Sequence, residues 1–189
     1  MPDKFFNAVE FSHLLLKEQV EDGDKVLDAT AGNGYDTKFL AELVGVGGKV
    51  FAFDIQKEAI LNTKRLLQKN KLENQVELIL DSHAHLDLYL ENKISAAVFN
   101  LGYLPGGNKE IITKVESTIT ALKKTTALLK ENAIVVLVIY SGHPGGEKEK
   151  NAVLKFSSDL DHKKFIVLNY KFLNQPGSPP QIIAIKKRN

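Results

Sequence analysis

Between Leu27 and Thr37 the chain reads Leu-Asp-Ala-Thr-Ala-Gly-Asn-Gly-Tyr-Asp-Thr, joining an apolar run to a helical pattern. Gly32 and Gly34 permit positive φ and let a ligand approach the backbone, while Asp36 or Thr37 is placed to cap the helix start. Asp28, Thr30, Gly32, Asn33, Gly34, Asp36 and Thr37 therefore make one expected binding loop. It is neither G-x-G-x-x-G nor G-x-x-x-x-G-K-[ST], so a dinucleotide pyrophosphate or a nucleoside triphosphate has no obvious cradle. Asp54, 20 residues beyond Gly34, ends a second apolar run and is followed closely by Gln56. An ionised carboxylate there can accept both hydroxyls of a ribose diol. A third run ends in Asp81-Ser82-His83. In a doubly wound sheet that position faces an adenine ring: Asp81 would accept from the exocyclic amine and Ser82 or His83 would bound the ring. His85 reads as an exposed loop histidine. Two further loops carry chemistry, Asn100-Leu-Gly-Tyr103 and Tyr140-Ser-Gly-His143-Pro-Gly-Gly. The glycines of the second suit a mobile substrate loop, with His143 and Lys148 available to meet a polar or anionic substrate.

Composition narrows the chemistry. The chain has no cysteine, which excludes disulfides, thiolate metal sites and a cysteine nucleophile. Its five histidines include no His-x-x-x-His pair, so no metal is expected. The net charge of +2 is unevenly spread: residues 141–189 hold 9 Lys and Arg against 4 Asp and Glu, whereas residues 1–140 hold 16 against 19. The basic end is a modest electrostatic footprint for a polyanion. No apolar run approaches the roughly 20 residues of a membrane span, and residues 1–10 lack the pattern of a signal peptide, so a cytoplasmic protein without membrane partners is expected.

The elements that must position these residues alternate. Strands are expected at Lys25–Ala29, Lys49–Asp54, Gln75–Leu80, Ser95–Asn100 and Ala133–Tyr140, apolar enough to be covered on both faces. An opening helix is expected at about Lys4–Val20, with others at Lys57–Asn70 and Lys109–Lys130. The last helix would bury Ile112, Val115, Ile119, Leu122, Thr126 and Leu129. Helix-linked strands imply right-handed crossovers and a doubly wound parallel sheet. Lys164–Phe172 and Gln181–Lys186 are joined by only eight residues with three prolines, too few for a crossover helix, and so form an antiparallel hairpin. The expectation is a single α/β domain over residues 1–189, a mostly parallel seven-stranded sheet closed by that hairpin. This differs from a dinucleotide-binding dehydrogenase and matches class I methyltransferases.

Asp28–Thr37, Asp54-Ile-Gln56, Asp81-Ser-His83, Asn100–Gly107, Tyr140–Glu147 and Asn174–Pro180 occur in an order that resembles the S-adenosylmethionine-dependent methyltransferases labelled rRNA methylases in Gram-positive bacteria. That resemblance spans nearly the whole chain. It implies S-adenosylmethionine as cofactor, with Asn33, Asp36, Asp54, Gln56, Ser82 and His83 among its contacts. It further implies methylation of 5-aminomethyl-2-thiouridine at the tRNA wobble position, hence the tRNA anticodon region as partner, and it makes a homodimer conceivable. Asn100 and Tyr103 resemble the Asn-Pro-Pro-Tyr element of amino methyltransferases with both prolines replaced. There an Asn oxygen orients the amine and an aromatic ring packs on the substrate. Lacking a cysteine for a carbon-5 adduct, the chain suits an amine or hydroxyl acceptor better than a pyrimidine carbon. An alkylammonium, by analogy with lysine's pKa of about 10.4, must shed a proton before attack. His143, Tyr103 and desolvation are all available to assist, so the catalytic set is Asn100, Tyr103 and His143. The competing expectations are the same chemistry on rRNA or a small amine, an NAD-dependent oxidoreductase, and a non-catalytic RNA-binding module.

Overall fold

A computed structural model describes residues 5–91, 93–107 and 111–189. Helix α1 (Ala8–Lys17) begins at a capping box in which the Asn7 side chain accepts from the Glu10 N–H and the Glu10 carboxylate accepts from the Asn7 N–H. Then follow β1 (Lys25–Asp28), α2 (Tyr35–Val44), β2 (Lys49–Asp54), α3 (Lys57–Asn70), β3 (Val76–Leu80), β4 (Ile94–Leu101), α4 (Val115–Leu128), β5 (Leu129–Ile139), α5 (Gly146–Ser158), β6 (Phe165–Tyr170) and β7 (Gln181–Lys187). They build one seven-stranded sheet in the order β3-β2-β1-β4-β5-β7-β6. Strands β1 to β5 pair in parallel, whereas β7 is antiparallel to both β5 and β6. This is the α/β sheet with a terminal hairpin expected from the short proline-rich link.

The strand order reverses between β1 and β4, which opens a crevice at their carboxyl ends. The strands flanking it are anchored deep in the core. Leu27, Phe53, Phe99 and Leu137 are fully buried on one sheet face, and Val26, Val98, Val136 and Ile182 on the other. Each such side chain contributes about 1.5–3 kcal/mol by leaving water. The loops at the carboxyl edge therefore start from fixed points.

Several boundaries differ from expectation. Helix α4 starts at Val115 because Ile112 instead forms an isolated antiparallel bridge with Tyr103, and the Thr113 N–H donates to the Gly102 carbonyl. Lys109, like Lys4, lies outside the described residues. The buried face of α4 is Thr118, Ala121, Leu122, Thr125 and Thr126, rotated from the aliphatic stripe read in the sequence. Two of its threonines find acceptors, the Thr118 hydroxyl donating to Glu149 of α5 and the Thr126 hydroxyl to the Leu122 carbonyl, while the buried Thr125 hydroxyl has none. Strand β5 begins at Leu129 rather than Ala133, running through Asn132 at φ 61 near a register shift against β4. Helix α1 ends at Lys17, and β6 is shorter than expected at both ends.

Candidate active site

The loop after β1 is held from behind. Asp28 is completely buried; its carboxylate accepts from the Thr37 hydroxyl at 2.5 Å and from the Thr30 N–H at 3.1 Å. Burial, reinforced by the charge of Asp36, pushes the Asp28 carboxyl up to about 7. Gly34 opens α2 at φ 86, where a Cβ would sit 2.9 Å from the Thr63 backbone, so glycine is required for α2 to approach α3. Asp28, Gly34 and Thr37 thus lie behind the cavity wall and shape the loop. Neither Asp36 nor Thr37 caps α2: Gly34 is the cap residue and no side chain bonds the helix start. Thr37 is turned toward Asp28, and Asp36 toward α1 and β4.

Two cavities open at the carboxyl edge. The first, about 330 Å³, is lined by Thr30, Gly32, Asp54, Gln56, Asp81, Ser82 and His83, with Ile55, Ile111 and Ile112 supplying apolar surface. Asp54 is fixed there by two backbone donors, Gly32 N–H and Gln56 N–H, each at 2.9 Å. Asp81 accepts from the Ser82 N–H, from His85 Nδ1 and from the Tyr89 hydroxyl, and these bonds, His85 foremost, hold its carboxyl below the usual range. His85 is exposed, as expected, and is also the partner of Asp81. The Ser82 hydroxyl accepts from the Ala84 N–H and turns the chain across the cavity floor. His83 is buried; its Nδ1 donates to the Ala29 carbonyl at 2.9 Å, leaving Nε2 as a lone-pair nitrogen with no partner. Burial pushes its imidazole down, so the ring stays neutral.

The second cavity, about 620 Å³, shares Thr30, Gly32, Asn100, Gly102, Tyr103 and Pro105 with the first and adds Asn33, Tyr35, Asp36, Tyr140 and His143. Asn33 braces it, donating to the Pro105 carbonyl and accepting from Asn62. Asn100 is placed by its N–H, which donates to the Thr30 hydroxyl at 2.7 Å, and by its side-chain Nδ2, which donates to Asp36. A carboxylate oxygen only accepts, so the amide must turn its nitrogen to Asp36 and its oxygen away from it. Burial and the charge of Asp36 push the Tyr140 phenol up, keeping it protonated. Tyr103 meets His143 edge-on, with ring centres 6.1 Å apart.

His143 lines the larger cavity; its Nδ1 donates to the Pro144 carbonyl at 3.1 Å, which leaves its Nε2 as an unprotonated, buried nitrogen with no hydrogen-bond partner. The ring acts as a wall behind Tyr103. Of the residues lining this cavity, Asp36 is the one carboxylate among those described. The sequence reading missed His13, whose Nε2 lies 2.6 Å from Asp36, and Glu149, a buried acceptor for Thr113 and Thr118. A lone histidine on an amphipathic helix carries no signal of its partner. No cluster of metal-ligating side chains occurs among the described residues.

An adenosyl group fits the first cavity: a fixed carboxylate for the diol at Asp54, acceptors at Asp81, isoleucines for the ring faces, and an orphaned lone pair on His83 Nε2. Residues 50–186 match the family described as Putative rRNA methylase. Residues 7–83, which carry the first-cavity carboxylates, also match the protein-L-isoaspartate O-methyltransferase family. A chloroplastic tRNA (mnm(5)s(2)U34)-methyltransferase of Arabidopsis thaliana is 39% identical over 96% of this chain and 70% of its own length. The crystal structure of an rRNA methylase from Clostridium thermocellum superposes with a TM-score of 0.96 at 46% identity, covering 97% of this chain and 99% of that one. A methyltransferase from Streptococcus mutans, solved in complex with SAH, superposes with a TM-score of 0.90 at 38% identity over 97% and 99%. An S-adenosylmethionine-dependent enzyme accounts for fold, first cavity and relatives together, and this chain belongs to the rRNA methylase family of class I methyltransferases.

Proposed function

We propose that the enzyme methylates the aminomethyl nitrogen of 5-aminomethyl-2-thiouridine at the wobble position of tRNA. The observation that carries this reading is Asn100 standing in the wall common to both cavities, its amide nitrogen tied to Asp36 and its oxygen left to accept from an attacking amine. The activity for which the Arabidopsis relative is named supports the choice of tRNA and of the wobble uridine. S-Adenosylmethionine supplies an electrophilic methyl on a sulfonium. Asp54, Asp81, Ser82 and His83 would hold its adenosyl part, with Gln56 N–H keeping Asp54 in place.

In this reading Asn100 aims the nitrogen lone pair, and catalysis is chiefly orientation in a near-attack geometry. Tyr35, Tyr103 and Tyr140 give the larger cavity three aromatic side chains for a splayed nucleobase. The Asp36 carboxylate attracts a cationic amine to the cavity mouth, and desolvation then favours the neutral amine, whose proton passes to bulk water before attack. Lys148, exposed on α5 beyond the His143 loop, would meet phosphate. Lys150 is a poorer contact because it pairs with Glu147 at 2.6 Å. Among the described residues no helix is long and apolar enough to cross a membrane.

The test is mass spectrometry of tRNA nucleosides from cells lacking this protein. The reading expects 5-aminomethyl-2-thiouridine to accumulate and its methylated form to vanish. An unchanged wobble nucleoside, with a methyl missing from rRNA instead, would replace tRNA by rRNA as the substrate.

A further inference from the structure

Helix α1 lies outside the glycine loop and the strand ends that define the site, yet it reaches into both. Val9 lines the acceptor cavity, and one turn later His13 projects from the same face. The His13 ring stacks on Phe39 of α2, with centres 4.0 Å apart and planes 6° from parallel. The stack leaves the ring little freedom except to point Nε2 at Asp36 Oδ1, 2.6 Å away. The other carboxylate oxygen of Asp36 accepts from Asn100 Nδ2. Three residues from α1, α2 and β4 therefore form one chain of hydrogen bonds ending at the proposed amine contact.

We propose that His13 is a positioning residue for methyl transfer, acting through Asp36 to hold the Asn100 amide with its oxygen toward the acceptor cavity. This rests on the reading of Asn100 as the amine contact. An asparagine amide presents nearly the same shape after a half-turn about its last bond, but the flipped amide offers N–H to an amine that needs an acceptor. Asp36 removes that ambiguity only while its own carboxylate is fixed. Without His13, one of its oxygens loses its donor and the carboxylate is free to rotate about its terminal bond. A fixed neighbour that locks a reacting contact is the kind of support on which orientation depends.

The variants separate hydrogen bonding from packing. His13→Phe keeps the stack on Phe39 and removes the donor, whereas His13→Gln restores an N–H without the ring. The proposal expects single-turnover methyl transfer to tRNA bearing the aminomethyl group to fall about tenfold in His13→Phe, and to be largely rescued in His13→Gln. In an Asn100→Ala background His13→Phe should cost less than about twofold, because the residue through which it acts is gone. Equal losses in both backgrounds, or normal rates in His13→Phe, would overturn it. A second readout needs no acceptor: the ¹⁵N-edited side-chain amide signals of Asn100, assigned by their absence in Asn100→Ala, should shift or broaden in His13→Phe. An unmoved Asn100 signal overturns the relay whatever the substrate. A parent enzyme inactive on this tRNA, with an Asn100 signal that does move, would count against the assigned acceptor and leave the relay standing.

Discussion

In the first cavity Asp54 is held wholly by backbone N–H groups and Asp81 in part, whereas at the end of β4 the Asn100 side chain is held through side chains brought from α1 and α2. Asp54 takes two backbone donors and Asp81 one. Asn100, Asp36 and His13 form a relay of side chains, while Tyr103 and His143 brace each other edge to face. The first arrangement suits a group that is the same at every turnover. The second suits an acceptor presented by a macromolecule, since loops can adjust while one polar contact stays aimed. The difference also locates the fragile part of the enzyme: disturbance near β4 should damage rate, and disturbance near β2 should damage cofactor affinity.

The largest expected effect is on rate. Asn100→Ala should cut single-turnover methyl transfer by roughly 10²–10³, as for loss of one preorganised polar contact, with S-adenosylmethionine affinity much less changed. Tyr103→Phe is the companion: a small loss keeps Tyr103 as a packing surface, and a large one gives its hydroxyl a part in orientation. If Asn100→Ala instead weakened the cofactor as much as the rate, the division between the two halves would fail.

On the other half, Asp54→Ala should weaken S-adenosylmethionine by about 1.5–3 kcal/mol, measured by calorimetry. The variant also releases the Gly32 and Gln56 N–H groups, so Asp54→Asn, which retains an acceptor, should lose less. Unchanged affinity in Asp54→Ala would remove it from the ribose site.

How far these halves can be read from sequence follows from the same difference. Asp54 and Asp81-Ser82-His83 were legible because a strand end fixes where a side chain points. The hairpin was legible because eight residues with three prolines leave no room for a helix. The start of α4 was not, because Ile112 continues a helical spacing yet is taken by its bridge to Tyr103. Nor was the role of Asp36: a polar residue early in a helix reads as a cap, and only the tertiary neighbours His13 and Asn100 claim it. The burial of Asp28 behind the loop, rather than against the ligand, likewise depends on where α2 packs.

That buried carboxyl gives a smaller, pH-dependent prediction. The Asp28 carboxyl is raised from 3.8 to about 7 in the fold, so between those values the native state binds a proton that the unfolded chain has released. Its contribution to stability therefore falls as pH rises from about 4 to 7 and stays low above that. Asp28→Asn, whose amide can donate to Thr37 and accept from the Thr30 N–H, should flatten the decline in Tm between pH 5 and pH 8. The effect should be about 1–2 kcal/mol at pH 8. A parent whose Tm does not fall over this range, or a variant with the same slope, would show that Asp28 is ionised without penalty.

The smallest effect concerns the basic end. Lys148→Glu should weaken tRNA binding several-fold at low salt and reduce the slope of log affinity against log salt by about 1, leaving cofactor affinity unchanged. Lys150→Glu should change binding less, since Glu147 already occupies that ammonium. Equal affinity for Lys148→Glu and parent at low salt would confine Lys148 to the solvated surface.

The central claim, an amine acceptor on the wobble uridine, is tested most directly with purified enzyme and S-adenosylmethionine labelled in the methyl group. The substrates are tRNA and rRNA from cells that lack this protein, assayed side by side. Digestion to nucleosides after a single turnover should place the label on 5-aminomethyl-2-thiouridine, at its side-chain nitrogen, and Asn100→Ala should slow its appearance by roughly 10²–10³. Label on a ring carbon, on a different nucleoside, or absent from tRNA while present on rRNA would contradict the account.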